Sequence, residues 1–181
     1  MRIIAGRLKG RRLKAPAWEG LRPTSDKLRE TLFNILAPRI GGARVLDGYA
    51  GTGAVGIEAS SRGAAHVTFI EQDRRAVALI EENLRGCGVE GGYTIHRGDA
   101  ATVLPGLGSN AFDLILLDPP YDITTMTAVL EASARALSDG GLVVLEHATR
   151  REPEPVMLLE PVRRVTSGDS TLTFFAARTL S

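Results

Sequence analysis

Between residues 44 and 146 the chain alternates short apolar runs with stretches of helical periodicity, and nothing else in it constrains the fold as tightly. Arg44-Val45-Leu46-Asp47, His66 to Glu71, Tyr93 to His96, Phe112 to Asp118 and Leu142 to Glu146 read as strands. Helices are expected from about Ala54 to Arg62, from about Asp73 to Arg85, around Ala100 to Leu104 and from about Thr124 to Leu137, the last stopping near Gly140-Gly141. Strands that alternate with helices build a parallel sheet with right-handed crossovers. The fourth run is almost wholly apolar, as a strand covered on both faces must be. The expected class is α/β: a Rossmann-like, doubly wound, mostly parallel sheet.

The flanks differ. At the start, Ile3-Ile4-Ala5 and Arg12-Leu13-Lys14 bracket a turn near Lys9-Gly10 and read as a β-ribbon. A helix capped by Thr24 or Ser25 follows, with an apolar stripe through Leu28, Leu32, Phe33, Ile35 and Leu36, and Pro38 and Gly41-Gly42 are expected to end it. At the other end, Arg163 to Thr166 and Thr171 to Ala176 bracket Ser167-Gly168-Asp169, a hairpin that should close the sheet with an antiparallel edge. Residues Arg150 to Pro161 read as a loop. With 181 residues the chain fits one domain, a ribbon over residues 1–22 on a core over 23–181.

Net charge is only +1, but residues 1–29 hold nine Arg or Lys against Glu19 and Asp26, and the rest is net acidic. Such a basic arm binds polyanions or is a solvated surface. Arg7, Lys9, Arg11, Arg12 and Lys14 are the candidate nucleic-acid contacts. A single cysteine, Cys87, excludes an intrachain disulfide and points to a reducing, cytoplasmic setting; it reads as a structural or surface thiol. No signal-peptide core and no membrane-length apolar stretch is present, so no membrane partner is expected.

In a doubly wound sheet, ligands bind outside the carboxyl ends of the strands. Asp47 ends the first strand, Glu71 the second, and Asp99 follows the third. Ala50-Gly51-Thr52-Gly53 comes directly after Asp47, and glycine there lets backbone approach a ligand. Gly51-Thr52-Gly53-Ala54-Val55-Gly56 also matches the dinucleotide fingerprint, with Glu71 20 residues past Gly51. Asp47 argues against that cofactor, because a carboxylate there repels a pyrophosphate and suits the cationic end of S-adenosylmethionine. So do the helix and ribbon before the first strand and the lack of length for a separate substrate domain. Glu71 can then accept from the ribose hydroxyls and Asp99 from the adenine amino group, with the Ala100 N–H offered to the ring. Tyr49 in the same turn joins the set, and no metal is expected. Asp99 alone could equally be a helix cap.

Asp118-Pro119-Pro120-Tyr121 ends the fourth strand. Two prolines after a buried strand make a rigid loop. An exocyclic amine on a base is a poor nucleophile, because its lone pair is delocalised into the ring. Asp118 and the Pro119 carbonyl can accept its two N–H bonds and aim the nitrogen, while Tyr121 stacks on an extruded base. A plain turn with a half-buried tyrosine is the bland alternative.

The order Asp47, Gly51-x-Gly53, Glu71, Asp99, Asp118-Pro-Pro-Tyr121 resembles the class I amino-methyltransferases. More narrowly, Arg2-Ile3-Ile4-Ala5-Gly6, Gly10-Arg11-Arg12-Leu13 and the block from Arg22 to Leu36 resemble the RsmD-type bacterial enzymes that make N2-methylguanine in small-subunit (16S) ribosomal RNA. The resemblance runs over nearly the whole chain. It implies that the Arg22–Leu36 block, with Arg22 and Thr24, packs over and helps bind the donor, S-adenosylmethionine, which leaves as S-adenosylhomocysteine. It implies ribosomal RNA, free or within the small subunit, as partner, and a monomer. The chain departs from the family pattern at Gly48, where a bulky aliphatic residue is usual and glycine loosens the turn, at Thr52 in place of Ser, and in the tail Ser167-Gly168-Asp169-Ser170. DNA adenine-N6 methylation needs a DNA-recognition domain for which no segment is long enough. Protein glutamine methylation pairs with Asn rather than Asp before the prolines. A non-catalytic RNA-binding protein is disfavoured by the intact donor and acceptor residues.

Overall fold

The computed structural model describes residues 1–20 and 25–178. Its elements follow as α1 (Asp26–Ile40), β1 (Arg44–Asp47), α2 (Ala54–Ser61), β2 (His66–Glu71), α3 (Arg74–Gly86), β3 (Tyr93–Arg97) and α4 (Ala100–Val103), which runs into a 3-10 turn over Leu104–Leu107. Then come β4 (Phe112–Leu117), α5 (Met126–Ala136), β5 (Leu137–Ala148), β6 (Leu159–Ser167) and β7 (Ser170–Ala177). The strands form one sheet in the order β3-β2-β1-β4-β5-β7-β6. Strands β1 to β5 pair in parallel, and β7 runs antiparallel between β5 and β6. The winding direction reverses between β1 and β4, the switch point at which such sheets open a crevice.

Side chains alternate across the sheet with the period of a strand. Leu114 and Leu116 of β4 face the layer that holds α1, α2, α3 and the N-terminal segment, through Phe33, Leu36, Ile57 and Ile80. Ile115 and Leu117 face the layer of α4 and α5, through Leu104, Val129 and Leu130. Helix α1 starts where Ser25 Oγ accepts the Leu28 N–H at 3.1 Å.

Four boundaries differ from the sequence expectation. Helix α1 passes through Pro38 and ends at Ile40. Pro38 removes only the bond to the Asn34 carbonyl, both residues lie on the exposed face, and buried Ile40 holds the last turn on the core. Strand β5 begins at Leu137, so Gly140 and Gly141 lie inside it rather than after a helix. They form an irregularity where Phe112 pairs Leu137 but Leu114 pairs Leu142. A Cβ on Gly141 would stand 2.8 Å from the Asp113 carbonyl oxygen, so the bulge requires glycine. Strand β6 takes in Leu159 to Pro161, which the sequence assigned to a loop; proline is tolerated there because β6 is the edge of the sheet.

The N-terminal ribbon is the fourth difference. It is reduced to one antiparallel bridge, Arg2 with Arg12, supported by Ile3 N–H to Arg11 O at 2.9 Å and Leu13 N–H to Met1 O at 3.0 Å. Helix α2 holds it. Glu58 is fully buried and accepts from the Ile4 and Ala5 N–H groups at 2.8 and 3.0 Å and from Arg62 Nε at 2.8 Å. Ser61 Oγ accepts the Leu8 N–H at 3.0 Å and donates to the Ala5 carbonyl at 2.5 Å. Ile3, Leu8 and Leu13 plug into the core, which two extended runs with polar neighbours do without further pairing. Cys87 is buried at the end of α3, where burial pushes its thiol up: a structural thiol. No helix among the described residues is long and apolar enough to cross a membrane.

Candidate active site

Asp47 closes β1 and turns across the start of α2, where its Oδ2 accepts the Gly56 N–H at 2.9 Å. Only 3% of the residue is exposed. Burial, reinforced by the carboxylates of Asp118 and Glu71, pushes its carboxyl up to about 7 against the pull of the Gly56 N–H. The turn after it needs left-handed backbone at Gly51 (φ 54°) and Gly53 (φ 79°), which glycine adopts without a Cβ penalty. Gly48, expected to loosen this turn, does not: its N–H donates to Leu116 O at 2.9 Å, and Leu117 Cδ2 fills the place of a Cβ, 2.6 Å from it.

Glu71 ends β2 and ties the turn to the next loop. Its Oε2 accepts the Gly51 N–H and its Oε1 the Asp73 N–H, both at 2.8 Å. Each oxygen keeps a lone pair for a ligand hydroxyl. Asp99 stands before α4 but makes no side-chain cap bond, whereas Asp73 caps α3 through the Arg75 N–H at 2.8 Å. The cap reading of Asp99 therefore fails. Its carboxylate faces the crevice, and beside it Ala100 opens a helix whose first N–H groups have no partner within the helix.

Asp118, Pro119, Pro120 and Tyr121 follow β4 and face the same opening, a cleft of about 500 Å³, a common size for a small-molecule site. Gly51, Thr52, Tyr49, Glu71, Asp99 and Ala100 line its other side. Asp47 and Gly53 do not line it. Gly53 shapes the turn against Ile80, and Asp47 stands behind the cleft, at a cavity of about 20 Å³ shared with Asp118, Glu146 and the α1 residues Leu28 and Leu32. Arg22 and Thr24 lie outside the described residues.

Glu146 and Trp18 are among the lining residues that the sequence did not single out. Glu146 sits near the end of β5 and reaches both cavities; it ends the fifth apolar run, so the rule that found Asp47 and Glu71 would have found it. Trp18 lies under Arg75, 4.8 Å from ring centroid to guanidinium carbon, and no periodicity announces it. The candidate nucleic-acid residues Arg7, Lys9, Arg11, Arg12 and Lys14 are all exposed but are not at the cleft. Arg7 donates to Ser60 Oγ at 3.1 Å, at the end of α2 remote from the glycine turn, and Lys14 pairs with Glu82.

The lining carries the carboxylates of Glu19, Glu71, Asp73, Asp99, Asp118 and Glu146. Arg75 is its one basic side chain among the described residues, and Asp73 pairs with it at 2.8 Å. This environment rejects a pyrophosphate and suits an organic cation with hydroxyl and amine donors. Among the described residues the buried Tyr49 hydroxyl has no partner, a polar group left for a ligand. Among the described residues no group of three His, Cys, Asp or Glu side chains is placed to hold a metal ion.

A parallel sheet that reverses at β1 and β4, an antiparallel final hairpin and an acidic cleft across the strand ends define a Rossmann-like class I methyltransferase. The family model described as conserved hypothetical protein 95 matches residues 1–176. YlbH of Bacillus subtilis (strain 168) is 37% identical over 183 residues, covering 98% of this chain and 100% of its own length. Ribosomal RNA small subunit methyltransferase D of Escherichia coli (strain K12) is 40% identical over 141 residues, 78% of this chain and 68% of its own. The solved structure of yhhF from Escherichia coli matches with a TM-score of 0.87 at 33% identity over 99% of both chains. The chain belongs to the RsmD-type methyltransferase family.

Proposed function

We propose that this protein transfers a methyl group from S-adenosylmethionine to the exocyclic N2 amine of a guanine in small-subunit ribosomal RNA. The observation that carries the reading is the opening of Asp118-Pro119-Pro120-Tyr121 into the same cleft as Glu71 and Asp99. The donor set fits: carboxylates for the ribose hydroxyls and the adenine amine, a tyrosine hydroxyl unpartnered among the described residues, and acidic surroundings for a cation.

When bound, S-adenosylmethionine supplies an electrophilic methyl group on a positively charged sulfur. Glu71 holds the ribose end and Asp99 with the Ala100 N–H the adenine end. Asp47, from behind the cleft, is about half ionised at neutral pH, and its ionised form favours the cationic end. Asp118 and the Pro119 carbonyl accept the two N–H bonds of the guanine amine and point its lone pair at the methyl carbon. Asp118 would take the proton that the amine nitrogen must lose when it gains the methyl group. Tyr121 stacks on the extruded base. Most of the rate gain is positioning for in-line transfer.

Arg7, Lys9, Arg11, Arg12 and Lys14 grip RNA phosphates at a distance from the cleft and give affinity without choosing the base. The chain works as one cytoplasmic, monomeric domain, ribbon 1–22 on core 23–181, with no metal. The deciding experiment incubates the protein with labelled donor and small-subunit RNA or particles, digests the RNA and identifies the nucleoside. N2-methylguanosine is expected; label in any other nucleoside overturns the reading.

A further inference from the structure

Arg151 follows β5 by three residues, in a turn closed by its own N–H on the Ala148 carbonyl at 2.9 Å. The turn is braced to the β6–β7 hairpin: the Thr149 N–H donates to Asp169 O at 2.8 Å, and Thr149 Oγ1 lies 3.0 Å from Thr171 Oγ1. From that platform Arg151 Nη1 donates to the Tyr121 carbonyl. A guanidinium has five N–H donors, and the exposed remainder of Arg151 faces solvent beside the loop that presents Tyr121. Arg150 stands next to it, also exposed. The nearest acidic side chain in sequence, Glu152, is engaged by Arg164 at 2.8 Å, so it does not cancel this charge.

We propose that Arg151 is a positioning and phosphate-binding residue, which holds the Tyr121 carbonyl with one N–H and grips the RNA backbone next to the extruded guanine with the others. This rests on the RNA-methyltransferase reading above. Fixing the flanking phosphates helps to hold a base outside its stack, and a planar fork suits a phosphate oxygen pair. Arg7 lies at the other end of α2, Lys14 is paired with Glu82 on α3, and none of the ribbon cations lines the cleft.

The test compares the full-length protein with Arg151→Ala and Arg151→Gln. Filter binding of small-subunit ribosomal RNA is measured over a range of salt, beside kcat and KM and calorimetric donor affinity. Gln keeps an N–H donor for the Tyr121 carbonyl and loses the charge. Both variants should bind RNA about tenfold more weakly, with the salt slope reduced by roughly one unit, as for one lost phosphate contact. Arg151→Ala should lose more kcat than Arg151→Gln, since only Ala releases the Tyr121 loop. Donor affinity should change less than about twofold, which a merely unfolded variant would not show. Salt lines parallel to wild type in both variants overturn the proposal. The binding arm needs no turnover: if wild type transfers no methyl group, the proposed reaction is wrong, and the slopes still decide whether Arg151 touches RNA.

Discussion

The phenol of Tyr121 and the hydroxyl of Ser170 lie 3.1 Å apart, joining the loop after β4 to the first residue of β7. The C-terminal hairpin thus braces the loop that carries Tyr121 as well as forming the edge of the sheet. Ser170 is 9% exposed and does not line the cleft itself, so its effect passes through Tyr121. Ser170→Ala and Tyr121→Phe should each cost one hydrogen bond, about 0.5–1.5 kcal/mol. Read as kcat, that is roughly a two- to tenfold loss. The double variant should lose no more than either single one, because both remove the same bond. Steady-state kinetics of the three proteins decide it; additive losses would mean the contact is incidental.

Asp118→Ala should reduce kcat by at least about a hundredfold, as expected for a group that positions and deprotonates the nucleophile. Donor affinity by calorimetry should hold within a few-fold. Retention of more than about a tenth of the wild-type rate, a loss under ~1.4 kcal/mol, would remove Asp118 from the chemistry.

Asp47 gives a pH signature. Its carboxyl sits at about 7 in the fold against 3.8 for the free group. Between those values the unfolded chain is ionised while the folded one holds its proton, so stability falls as pH rises from about 4 to 7. Asp47→Asn keeps an oxygen for the Gly56 N–H and has no proton to lose. The melting temperature of wild type relative to the variant should therefore decline across that window. A flat difference between the two melting curves, read at each pH, would show that Asp47 ionises normally.

Glu58→Ala should destabilise the protein by about 3–5 kcal/mol, the usual result of orphaning a buried ionic partner. It leaves Arg62 Nε and the Ile4 and Ala5 N–H groups without their acceptor. Glu58→Gln, whose amide oxygen still accepts, should cost less. Urea unfolding of both gives the comparison, and equal losses would place the effect in packing rather than in the carboxylate.

The parallel half of the fold was legible because its signals are local. β2 and β4 are apolar runs with sharp ends, and Asp47, Glu71 and Asp118 fall at strand ends where the topology makes them meet. What was not legible depends on distant partners. Gly140-Gly141 looks like a helix stop in isolation and becomes a strand bulge only because Asp113 and Leu137 crowd it. The ribbon looks like paired strands, yet its Ile4, Ala5 and Leu8 N–H groups go to Glu58 and Ser61, more than 50 residues away. Trp18 and Arg151 reach the site through a cation–π contact and a carbonyl, which leave no pattern in sequence.

Strand β7 comes later in the chain than both strands it joins, β5 and β6. As the polypeptide is synthesised, Asp47, Glu71, Asp99 and Asp118 emerge well before Ser170. In a nascent chain the strand-end carboxylates are all present before the strand that braces Tyr121 exists. The contact that holds the Tyr121 loop is thereby deferred until β7 has inserted between β5 and β6. A protein cut short before residue 170 would lose the Tyr121 contact together with buried Leu172, Phe174 and Phe175, so proteolysis there would open both cores as well as free the Tyr121 loop.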